Sequence, residues 1–105
     1  MNIASENIQL SYLYRDAGNY KLFGQVIFRN PEKLSPEEIK SKLLAQLIDG
    51  EFFDAEKWGL PVLQFENYHP DMDHPWHEIE KIESTAATIS DSRTLTEFLL
   101  ELQKC

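Results

Sequence analysis

All three histidines of the chain, His69, His74 and His77, fall between Glu66 and Glu80, among Asp71, Asp73, Glu78 and Glu80. Imidazole and carboxylate ligands together suit zinc or another divalent metal, and a catalytic centre would keep one position open for water. The residue types are right for a metal-dependent hydrolase, but the spacing is not that of a known ligand pattern. There is no His-Glu-x-x-His helix and no His-x-His strand pair, and Pro70 and Pro75 interrupt the run. A calcium loop fits less well. Asp71 and Asp73 give its first alternation, but the glycine of the sharp turn is missing and Ile82 stands where the closing glutamate belongs.

The same region has a second chemistry. Phe52, Phe53, Trp58, Phe65, Tyr68 and Trp76 place six of the chain's twelve aromatic residues between Asp49 and Glu80. That segment also holds nine acids against one base, Lys57, whereas the rest of the chain is balanced, so the net charge of -8 belongs to it alone. Aromatic side chains anchor a protein contact and carboxylates steer a basic partner towards it. Trp58, Tyr68, Asp71, Asp73, Trp76 and Glu78 are the candidate partner-binding residues on this reading, which needs no cofactor. The competing assignment puts the phenylalanines in the core and the acids on a solvated face. Direct nucleic-acid binding is not expected, because phosphate binding needs a basic patch and this surface should repel it. No serine sits in a nucleophile elbow, and the four glycines form no phosphate-binding loop. Cys105 is the single cysteine, so neither a disulfide framework nor a multi-cysteine zinc site is possible within the chain.

The elements that must position these groups follow from periodicity. Ile8 to Arg15 alternates, with Ile8, Leu10, Tyr12 and Tyr14 on one face; Tyr20 to Arg29 is again rich in β-branched and aromatic residues; Asp16 to Asn19 between them suits a turn, so the two runs predict a hairpin. Gly24, inside the second strand, suggests a bulge or a close contact. Ser35-Pro36-Glu37-Glu38 is a capping box with proline at the first helical position. It starts a helix whose apolar stripe runs through Ile39, Leu43, Leu44, Leu47 and Ile48, with Gly50 as its stop.

Further along, Asp54 to Trp58 suits one short helical turn and Val62 to Glu66 a third strand, followed by a proline-rich loop from Asn67 to Pro75. His77 to Ser84 is ambiguous, because Ile79 and Ile82 are three apart, which fits a helix or a bulged strand; the short length favours the strand. A second capping box, Thr94 to Glu97, opens a closing helix through Leu95, Phe98, Leu99 and Leu102. The order is ββαββα. It predicts an α+β fold, an antiparallel four-stranded sheet with helices packed on one face, and a single domain over residues 1–105.

Three segments, Tyr14 to Lys21 (YRDAGNYK), Asp49 to Phe53 (DGEFF) and Asp73 to Glu78 (DHPWHE), resemble a group of small bacterial proteins of about this length. The likeness implies a bacterial or phage setting and carries no activity, cofactor or catalytic residue. With no apolar run long enough for a membrane span and no signal-peptide pattern at the start, a cytoplasmic location without membrane contact is expected. The reading is of a non-enzymatic, acidic interaction protein that binds, inhibits or regulates a basic-surfaced protein of the immunity, antitoxin or phage-inhibitor type. The metal-dependent hydrolase is the alternative, followed by a small-ligand domain in which the hairpin and Trp58 wall a pocket.

Overall fold

The structure, a computed structural model, describes residues 7–15, 18, 20–63 and 76–103. The predicted hairpin forms from β1 (Asn7–Arg15) and β2 (Lys21–Arg29), antiparallel in an unbroken register from Asn7 opposite Arg29 to Arg15 opposite Lys21. Since no residue is inserted, Gly24 marks a close contact and no bulge. A Cβ there would lie 3.0 Å from a Leu63 methyl and 3.3 Å from the Tyr12 ring.

Helix α1 (Pro36–Leu44) starts where the capping box places it: the Glu38 N–H donates to Ser35 Oγ, and the Ser35 N–H donates to the Glu38 carboxylate. Its end differs from expectation. The apolar stripe continues through Leu47 and Ile48, yet the helix stops at Leu44, and Gly50 belongs to a tight turn in which Asp49 has φ 55° and Gly50 φ 71°. That left-handed pair reverses the chain, so Ile48 bridges Phe52. The turn leads into β3 (Phe52–Asp54), three residues long. The third strand of the described residues is therefore here, ahead of the expected Val62 to Glu66. Val62 and Leu63 lie outside any strand, and 64–66 lie outside the described residues.

β4 (Trp76–Thr85) completes an antiparallel sheet of order β2-β1-β4-β3. Its register explains the ambiguous isoleucines. Tyr12 faces Ile79 and Ser11 faces Lys81, so Glu80 is an extra, bulged residue, and Ile79 and Ile82 both turn to the core face despite their odd spacing. Helix α2 (Leu95–Leu102) carries the second capping box, between Thr94 and Glu97.

One sheet face, bearing Ile8, Leu10, Tyr12, Val26, Phe28 and Phe53, shares a single core with Ile39 and Leu43 of α1 and Leu95, Phe98, Leu99 and Leu102 of α2. Both helices thus cover the same face, as the α+β reading requires. No helix among the described residues is long and apolar enough to cross a membrane.

Candidate functional site

The two tryptophans of the acidic segment have opposite fates. Trp58 is 6% exposed and stacks on Phe53 with ring centroids 4.2 Å apart, then meets the edge of Phe98 at 6.0 Å. It is a core residue, which corrects its assignment to a partner-binding surface. The five residues after β3 fold back beneath the sheet, closed by the Leu60 N–H donating to the Ala55 carbonyl and the Trp58 N–H to that of Asp54. Trp76, by contrast, is the first residue of β4 and only partly buried.

His77, next along, is also a core residue. It is 1% exposed, among Tyr12, Tyr14 and Phe53 at ring separations of 5.4 to 5.9 Å. The Leu63 backbone N–H donates to its Nε2 at 3.0 Å. An accepting Nε2 belongs to a neutral ring that carries its proton on Nδ1, so the Nε2 lone pair holds the chain after β3 against β4 and is spent. A metal would have to displace that bond. Beside it, Tyr12 Oη donates to the Pro61 carbonyl at 2.6 Å, and burial pushes the phenol up to about 12. His69, His74, Tyr68, Asp71 and Asp73 lie outside the described residues, and among the described residues no three histidine, cysteine or acidic side chains are placed so that they could hold a metal ion.

Trp76 and Glu78 do come together. Two apart on β4, they share the sheet face opposite His77, with Asp54 paired to Trp76 and Phe52 paired to Glu78. Two aromatic and two acidic side chains therefore alternate across the β3–β4 ladder. On the inner side of this group Arg15 pairs with Glu78, its Nε 3.1 Å and its Nη2 3.4 Å from the two carboxylate oxygens. Asp49, Glu51 and Glu56, exposed in the turns flanking β3, extend the negative rim.

A second feature borders this group on the outer edge of β4. A cleft of about 540 Å³ separates that strand from α1. Its helical wall is the i, i+4 row Pro36, Lys40 and Leu44, and Ile79 and Ile82 with Leu47 form an apolar floor. The sequence gives a faint sign of it in a helix stripe wider than the core needs: Leu44 and Ile48 stay 46% and 44% exposed. Phe52 and Arg15 gave no sign, because only the register places them beside Glu78. Compared with known proteins, the chain matches no family model, no curated protein and no solved structure.

Proposed function

We infer that this chain is a small acidic cytoplasmic interaction protein that binds a protein partner through the partner's basic surface and thereby inhibits or regulates it. The observation that supports this reading is the alternation of Trp76, Asp54, Glu78 and Phe52 on one face of the β3–β4 ladder, inside the segment that owns the chain's negative charge. A partly exposed tryptophan supplies desolvated contact area, and carboxylates around it favour a basic partner and repel acidic ones. The immunity, antitoxin or phage-inhibitor comparison is an analogy of size and charge.

The test is affinity capture from a lysate of the source organism at low salt, followed by calorimetry with the captured partner. Charge reversal at Asp71, Asp73 and Glu78 is expected to weaken binding at least about tenfold, and Trp76→Ala to cost about 2 kcal/mol. Loss of binding on raising the salt should accompany both. If no captured protein responds to charge reversal, the reading fails.

A further inference from the structure

β4 is ten residues long, but β3 pairs only with Trp76, His77 and Glu78. Along residues 79–85 its outer edge has no strand partner among the described residues. An open edge presents alternate N–H and C=O groups in a row, ready to pair with any extended chain that arrives. Here the row of seven residues runs for about 23 Å at the usual rise of a strand. Its first part is not on a flat surface. It forms one wall of the cleft, with α1 as the opposite wall and Leu44, Leu47, Ile79 and Ile82 contributing apolar surface. A strand edge beside a helix, over an apolar floor, is the geometry in which added peptides gain affinity from main-chain hydrogen bonds and selectivity from alternate side chains.

We propose that this cleft takes an extended segment of a partner protein as a fifth strand on β4, and that the segment alternates apolar side chains with lysine or arginine. Charge selects this occupant. Glu37, Glu51, Glu78 and Glu80 line the cleft against Lys40 and Lys81, and Lys81 is already engaged by Glu83 at 3.5 Å. A second copy of the chain is a poor occupant. Each copy carries -8, and a β4 pair would bring two sets of Glu78, Glu80 and Glu83 together. The bulge at Glu80 and the charges beside it are devices that keep an exposed edge from joining its own kind, and they leave it open to a strand of opposite sign. The proposal rests on the interaction-protein reading for the nature of its partner, but its cleft meets the Trp76 and Glu78 group only along one border, through Glu78 and Glu51.

The full chain is panned against a random linear peptide library displayed on phage. Enriched peptides are then measured by fluorescence anisotropy, and β4 amide exchange is followed by NMR. Enrichment of alternating apolar and basic sequences is expected, with the outward-facing amides of residues 79–85, those not bonded to β1, exchanging freely in the free protein and protected in the complex. Leu44→Lys, Glu80→Lys and N-methylation of alternate peptide amides should each weaken binding at least about tenfold. The proposal is overturned by the absence of enrichment, by selected peptides without basic residues, or by indifference to N-methylation. It is equally overturned if those amides are already protected in the free chain, or become protected with self-association in ultracentrifugation. A partner that responds to reversal at Asp71, Asp73 and Glu78 but ignores Leu44→Lys and Glu80→Lys would sink the cleft and leave the acidic-module reading standing.

Discussion

The β2 edge and the β4 edge of the sheet are finished by different means. At β2 the chain returns alongside the strand. The Ile27 N–H donates to Ser90 Oγ at 2.9 Å, the N–H groups of Ser90 and Asp91 donate to the Ile27 carbonyl, and Thr94 bridges Arg29. Arg93 fastens that return. Its guanidinium donates to Asp91 at 2.7 and 3.0 Å, to Glu101 at 2.6 Å and to the carbonyls of Trp58 and Gly59, while lying 5.1 Å above the Phe98 ring. The outer edge of β4 receives three residues of β3 and then faces the cleft. At Ile27 and Arg29 the β2 edge is closed by polar bonds that tie the α2 end of the chain to the sheet, so this end of it belongs to the fold. Among the described residues the other edge, beyond β3, is guarded by charge and a bulge, and no bond ties it to the rest of the fold.

The largest effect should come from breaking the closed edge. In Arg93→Met the Asp91 carboxylate, its side chain 13% exposed, loses its cation and two carbonyls lose their donor. Removing one partner of such a pair costs about 3 kcal/mol, to be read from urea unfolding. The pH dependence follows in sign. The side-chain hydrogen bond from Arg93 is the main cause holding the Asp91 carboxyl below its ordinary value. The folded chain thus binds that proton less readily than the unfolded one. The stabilisation is complete above the unfolded carboxylate value near ~4 and is lost as pH falls through the folded one. Asp91→Asn should flatten that acid limb.

Alkali tests the middle of the sheet, which both edges share. With its phenol raised to about 12, Tyr12 holds its proton more tightly folded than unfolded. Its contribution is intact below the unfolded value near ~10 and disappears as pH rises through the folded one, a loss of at most about 2.7 kcal/mol. Stability curves between those limits should lose this slope in Tyr12→Phe. An unchanged slope would mean that another group governs alkaline unfolding. A smaller effect, about 1 kcal/mol, is expected from Ser90→Ala, which leaves the Ile27 N–H without its acceptor. Faster amide exchange at Ile27, with no change along β4, would confine the damage to the closed edge.

How much of this was legible depends on whether the determinant is local. Both capping boxes and the hairpin are encoded within a few neighbouring residues, and each formed where the pattern put it. β3 has no such code. Phe52 and Phe53 do not alternate with polar residues, and their strand exists because His77 and Glu78 offer a ladder from more than twenty positions away. Val62 and Leu63 carry the right residue types for a strand, but the Leu63 N–H is committed to an imidazole. The candidate site divided in the same way. Composition marked Trp58 and Trp76 as equals; the turn after β3 sends one under the sheet, and the start of β4 leaves the other partly exposed. The cleft depends on the unequal lengths of β3 and β4, a relation between distant segments that no window of sequence contains.

The smallest expected effect is the sharpest test of the contrast between the edges. Leu44, at the last turn of α1, is 46% exposed on the cleft wall. Leu44→Lys keeps a stem of methylenes along the same surface and puts a cation where the helix dipole favours one, so the two changes oppose the loss of apolar burial. The net change in unfolding free energy should stay within about 0.5 kcal/mol. If the variant instead loses as much stability as Arg93→Met, the cleft is part of the folding core and the two edges are not different in kind. If it folds like the parent chain, any change it makes in binding belongs to the β4 edge itself.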